Sequence, residues 1–155
     1  MTRLTAGIPA PDIRLNADNG STVALSNFRG QRVVLYFYPK DDTSGCTTQA
    51  CEFRDQQTDF DATGAKIIGV SPDTVARHVK FRDKYGLSFT LLSDPDHAAA
   101  DAYGVWVEKS MYGRKYMGIE RSTFVIGADG VLEHALYKVK PAGHASSVLE
   151  LLARQ

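Results

Sequence analysis

Apolar and polar positions along the chain fall into blocks whose period switches between that of a strand and that of a helix. In residues 13–25 two short apolar stretches flank Asp18-Asn19-Gly20, which predicts a hairpin. Residues 32–38 form a continuous apolar, β-branched and aromatic run stopped by Pro39, the pattern of a buried central strand. Residues 44–60 carry few breakers and predict one helix. A second buried strand follows at 65–70, ended by Ser71-Pro72-Asp73, and then a helix at 74–85 closed by Gly86. A short strand at 89–92 and a short helix at 98–103 come next. Residues 109–118, with two glycines, predict a loop. Strands at 122–126 and 131–139 flank Ala128-Asp129-Gly130, and a helix at 145–154 closes the chain with Val148, Leu149, Leu151 and Leu152 on or near one face.

Strand–helix alternation implies parallel pairing, and the late hairpin implies an antiparallel edge. The order predicts an α/β fold: a mixed central sheet with helices on both faces and an N-terminal hairpin. A thioredoxin-like fold satisfies it, and alternation alone also allows a flavodoxin-like one. Neither fixes a function.

Length and composition narrow the function classes. The 155 residues predict one domain spanning 1–155, long enough to bury a hydrophobic core, and 43% hydrophobic with 23% charged residues is the balance of a soluble globular protein. Eighteen basic residues balance 18 acidic ones, so no basic footprint for nucleic acid or an anionic membrane is expected. The longest clearly apolar run, 33–38, is far shorter than the ~20 residues that span a bilayer. The first residues, Met1-Thr2-Arg3-Leu4-Thr5, lack the apolar stretch of a secretory signal, so a cytoplasmic location is expected.

The two cysteines, Cys46 and Cys51, lie within six consecutive residues. The loop they close is too small to staple a fold, and such a pair in a cytosolic protein is more often catalytic, redox-active or metal-binding. The predicted strand ends at Pro39, a polar loop follows, and a helix begins near Ser44. Cys46 then falls in the first helical turn, where free backbone N–H groups and the positive end of the helix dipole favour a thiolate. The alternative is an inert buried cysteine. Taken singly, Thr43 reads as a helix cap, Pro39 as a strand end and Arg121 as a surface ion-pair partner.

Pro39, Thr43 and Cys46 together fit the Pro-x-x-x-Thr-x-x-Cys motif of the peroxiredoxins. The run Ala50-Cys51-Glu52-Phe53-Arg54-Asp55 resembles the bacterioferritin comigratory protein, or peroxiredoxin Q, group. Met111-Tyr112-Gly113 and Tyr116-Met117-Gly118-Ile119-Glu120-Arg121-Ser122-Thr123-Phe124 resemble the segment in which that group carries its active-site arginine. Ser44 departs from the group, which often has proline there; serine can cap a helix, so little consequence is expected. The resemblance implies a peroxidase reducing hydrogen peroxide and organic hydroperoxides through a sulfenic acid on Cys46. Thr43 would hydrogen-bond the thiolate or the peroxide. Arg121 would supply fixed positive charge, and Pro39 would shield the site. It also implies that Cys51 resolves the sulfenic acid as a Cys46–Cys51 disulfide, that thioredoxin or a similar dithiol protein re-reduces the pair, and that the protein is a monomer.

Helix geometry constrains that resolving step. Residues i and i+5 of an α-helix lie about 8–9 Å apart at Cα, whereas a disulfide tolerates roughly 7 Å at most. The pair cannot bond while the helix is intact. The alternative is that Cys51 is a buried core residue and an outside thiol resolves Cys46.

Other signals point away from further chemistry. His78, His97, His134 and His144 are scattered and none sits at metal-ligand spacing from the cysteines; Cys-x4-Cys supplies only two of about four zinc ligands, so no metal is expected. Nor is Cys-x4-Cys the Cys-x-x-Cys of a thioredoxin-type electron carrier. No glycine-rich phosphate loop follows a strand. No cofactor is expected, because both redox centres are side chains. Asp41-Asp42 and Asp94-Pro95-Asp96 read as solvated loop and capping residues, and Arg114-Lys115 with Tyr112 and Tyr116 as a loop near Arg121 that contacts substrate or reductase. The competing class is a redox switch that uses the cysteine pair without turnover.

Overall fold

The computed structural model describes residues 3–153. A seven-stranded mixed sheet runs in the order β2-β1-β5-β4-β3-β8-β9. Its strands are β1 (Arg14–Ala17), β2 (Thr22–Ala24), β3 (Val33–Phe37), β4 (Lys66–Ser71), β5 (Thr90–Ser93), β8 (Ser122–Ile126) and β9 (Leu132–Leu136). β3 pairs in parallel with β4, and β4 with β5, whereas β3–β8 and β8–β9 are antiparallel. This is the mixed, thioredoxin-like arrangement; the antiparallel β8–β9 pair beside β3 departs from the all-parallel alternative.

β3 shows why the sheet holds. All five residues are buried, and alternate side chains enter opposite cores: Val33, Leu35 and Phe37 on one face, Val34 and Tyr36 on the other. Each such buried side chain stabilises the fold by about 1.5–3 kcal/mol. The first face is covered by the short helix α4 (Ala98–Ala102) and a 3₁₀ turn at Leu25–Phe28. The second is covered by α1 (Ser44–Asp55), α2 (Gln57–Ala62), α3 (Val75–Tyr85) and α5 (His144–Ala153). Thr74 caps α3 by accepting from the Arg77 amide, and Gly86 ends it in the left-handed conformation at φ 62°.

Two expectations fail. The helix predicted over 44–60 breaks at Gln56 (φ −105°, ψ 14°) into α1 and α2. The break falls where Gln56 Nε2 of the side chain donates to Ser146 Oγ of α5 at 3.1 Å, a tertiary contact that no local breaker announces. The loop predicted over 109–118 is a hairpin of β6 (Trp106–Met111) and β7 (Arg114–Ile119), closed by Tyr112 and Gly113, both at positive φ (52° and 78°). Such a two-residue mirror-image turn matches the strand twist. Most of its residues are exposed on both faces, so no apolar–polar alternation marks it as sheet. Arg154, the predicted end of the last helix, lies outside the described residues, and the strand predicted over 131–139 ends at Leu136.

Candidate active site

The C-terminal end of β3 is where the two patches of sequence meet. β3 runs antiparallel to β8 with Phe37 opposite Ser122, so Arg121, one residue earlier, arrives level with the residues that follow β3. The loop from Pro39 then leads into α1, whose first turn carries Cys46, 2% exposed. Arg121 Nη2 donates to Cys46 Sγ at 3.3 Å, and Nη1 donates to Gln49 Oε1 at 2.6 Å. Gly45 makes room for this approach: a Cβ there would lie 3.2 Å from Arg121 Nη2 and 3.3 Å from Pro141 Cγ. A fixed guanidinium and the N-terminal turn of α1 therefore converge on one buried sulfur.

Thr43 occupies the N-cap position of α1 with extended backbone, yet its side chain does not cap the helix. Its hydroxyl donates to the Lys40 carbonyl at 2.7 Å, which leaves the oxygen's lone pairs as acceptors. Ser44 is the first helical residue, the position proline favours, and the expected serine cap is absent. Pro39 is half-buried just beyond β3.

Cys51 lies on the same unbroken helix, half-buried, and both cysteines are free thiols. It is not a core residue, unlike Phe53 two positions on, which is fully buried and stacks on Tyr36 at 4.8 Å between ring centroids.

Gln49 is the site residue that sequence reasoning missed. It is fully buried and ties Arg121 to α1; its spacing of three from Cys46 places both on one helix face, the signal that could have found it. Asp41 is a correction. It reads as a solvated loop residue but is 3% exposed, accepting from the Tyr38 hydroxyl at 2.5 Å and facing His78 Nδ1 at 2.6 Å. Arg114 and Lys115 read as loop residues but begin β7. Lys109 of β6 has its ammonium held below the usual lysine range by burial and by the charge of Arg121.

His144, at the start of α5, is buried edge-on to Phe53 and bonded through Nε2 to Thr123 Oγ1 at 2.7 Å. Burial, with the charge of Arg121, pushes its ring down to about 4. A depressed value means that the neutral ring is the folded form. Its contribution is complete above pH ~6.5 and is lost as the pH falls toward 4, amounting to about 3 kcal/mol at 1.36 kcal/mol per pH unit. Urea unfolding at pH 7 and pH 4 is expected to show a larger acid loss in the wild type than in His144→Phe, by about that amount.

Comparison with known proteins agrees with this geometry. Residues 6–135 match the model of the AhpC/TSA family. The chain is 50% identical over 146 residues to peroxiredoxin Bcp of Bacillus subtilis, covering 94% of this chain and 93% of that one. It is 44% identical to peroxiredoxin Bcp of Escherichia coli over 98% of this chain and 97% of the relative. Among solved structures, Xanthomonas campestris peroxiredoxin Q superposes with a TM-score of 0.91 at 44% identity, covering 97% and 98% of the two chains. A Xanthomonas campestris bacterioferritin comigratory protein, studied for its alkyl peroxide reduction activity, superposes at 0.90 with 43% identity over 96% and 98%.

Proposed function

Because the chain belongs to the AhpC/TSA family and is a thiol peroxidase of its Bcp and peroxiredoxin Q branch, we propose that Cys46 attacks the peroxide and Cys51 resolves the product. The observation that carries the assignment is the 3.3 Å contact from Arg121 Nη2 to the buried Cys46 Sγ at the start of α1. The thiolate attacks one oxygen of ROOH. An S–O bond forms, the O–O bond breaks, and the departing RO⁻ takes a proton to leave as ROH. Arg121 is aimed at the region where negative charge moves from sulfur to the leaving oxygen. The Thr43 hydroxyl, its proton committed to Lys40, accepts the peroxide O–H and orients it. Pro39 keeps bulk water from the loop. The substrates are hydrogen peroxide and organic hydroperoxides, the latter supported by the alkyl peroxide reduction of the Xanthomonas relative.

Cys51 then attacks the sulfenic sulfur, an S–S bond forms, and hydroxide leaves as water after protonation. Sulfurs five residues apart on an intact helix cannot meet, so the first turns of α1 open. Phe53 limits how far: it packs against Tyr36, Phe60, Phe89 and His144, and withdrawing a buried phenylalanine costs about 1.5–3 kcal/mol. The opening therefore involves the turns before Phe53 and exposes the disulfide to a dithiol protein, thioredoxin or a similar one, which returns two electrons. We place this chemistry in one domain of residues 1–155, in a monomer, in the cytoplasm. Thiol titration after one equivalent of peroxide tests the resolving step: the two free thiols of each chain are expected to fall to none, with a single intramolecular disulfide by mass spectrometry. Two thiols falling to one, with Cys51 still free, would remove Cys51 from the role.

A further inference from the structure

Behind the loop that leads into α1 and Cys46 lies a buried charged cluster that the peroxidase chemistry does not use. Asp41, Asp73 and His78 are all buried, with one ligand-type atom of each within 4.8 Å of the others. Their polar atoms are already engaged. His78 Nδ1 faces Asp41 Oδ2 at 2.6 Å and Nε2 faces the Leu92 carbonyl at 2.8 Å. Asp41 Oδ1 accepts from Tyr38, the Asp41 amide donates to Asp73 Oδ2 at 2.7 Å, and Ser71 Oγ donates to the same oxygen at 2.7 Å. Asp73 Oδ1 pairs with Arg77 at 3.1 Å.

A histidine whose two nitrogens both face acceptors is satisfied only when both carry protons. Burial opposes that charge, but the hydrogen bond and charge of Asp41, with the Leu92 carbonyl and Asp73, outweigh it and leave the ring above the usual histidine range. The same loop is held a second time on its outer side. Asp42, at φ 60°, accepts from Lys84 Nζ and from the Tyr85 hydroxyl, each at 2.8 Å and each from α3. Consecutive aspartates thus fasten the loop to one helix, four residues before Cys46.

We propose that His78, as a buried imidazolium paired with Asp41, is a positioning residue for Cys46: it fixes the loop that sets the start of α1 and neutralises a carboxylate on that loop, five residues before the reacting sulfur. The pair forms the stationary end of the segment that opens when the disulfide forms, with Phe53 at the other end. The groups facing His78 are Tyr38 and Asp41 after β3, Asp73 after β4, the Leu92 carbonyl of β5, and Arg77 and Phe81 of its own helix. A raised folded value makes the His78 contribution complete below pH ~6.5 and lost as pH rises through that value. The proposal rests on Cys46 being the reacting sulfur.

The test compares wild type, His78→Gln and Asp41→Asn/His78→Gln by the second-order rate of Cys46 oxidation with pH, alongside imidazole ¹⁵N shifts of the wild type. The expected results are both His78 nitrogens protonated at pH 7, an alkaline decline in the wild-type rate that tracks their titration, a roughly tenfold slower His78→Gln chain, and recovery to within about threefold in the double variant, where a neutral amide pair replaces the ion pair. A neutral His78 at pH 7 overturns the proposal even if His78→Gln does not fold. So does a His78→Gln rate equal to wild type, or a double variant no faster than the single one. A wild-type chain that reduces no peroxide would instead break the assignment of Cys46.

Discussion

A Cys46→Ser chain is expected to lose peroxide turnover to the level of an unassisted thiol. A serine oxygen cannot give up to the peroxide the two electrons that sulfur surrenders on passing to sulfenic acid, and the one remaining thiol, Cys51, is poorly placed. It sits more than a helical turn beyond the start of α1, half-buried, while the Arg121 guanidinium is committed to Cys46 and Gln49. The fold is expected to survive, because a serine oxygen can still accept from Arg121; the change in unfolding free energy is expected to stay within about 1 kcal/mol. Peroxide consumption with a chemical dithiol as reductant measures the first effect and urea unfolding the second. Appreciable turnover in Cys46→Ser would transfer the chemistry to Cys51.

Arg121→Met is expected to slow Cys46 oxidation by about 10²–10³-fold, the range for removing one preorganised donor from a site of developing negative charge. Two losses combine. The sulfur loses a cation at 3.3 Å, and Gln49, fully buried on the same helix, loses the group that its Oε1 accepts from at 2.6 Å. Arg121→Lys is expected to recover only part of the rate, since an ammonium cannot bridge Gln49 and the sulfur with the fixed fork of a guanidinium. Single-turnover oxidation followed by thiol loss reads both variants, and a rate for Arg121→Met within threefold of wild type would count against the role given to the arginine.

Much of this was legible from local pattern because local physics decides it. The run ending at Pro39 marked β3, the alternation of elements together with the late hairpin predicted a mixed sheet, and Gly86 marked the end of α3. The candidate site was legible only through resemblance to the peroxiredoxin motif, carried by Pro39, Thr43 and Cys46 and by the segment around Arg121, and the antiparallel β3–β8 register brings Arg121 to Cys46. What stayed illegible depends on tertiary partners. Gln56 breaks a helix next to Ser146 of α5, and the β6–β7 hairpin lacks a buried face to write a pattern into its sequence. Asp41 and Asp42 look alike as neighbours on a polar loop, yet one turns inward to a histidine 37 residues away and the other outward to Lys84 and Tyr85. No spacing rule separates them.

The claim on which the rest depends is that peroxide oxidises Cys46 first. In a Cys51→Ser chain the resolving step is absent, so the sulfenic acid persists long enough to be trapped by a carbon nucleophile such as dimedone and located by peptide mass spectrometry. One adduct per chain on the peptide carrying Cys46, formed after one equivalent of peroxide and greatly diminished by Arg121→Met, is the predicted result. An unmodified Cys46 peptide in a folded chain that has consumed its peroxide would contradict it.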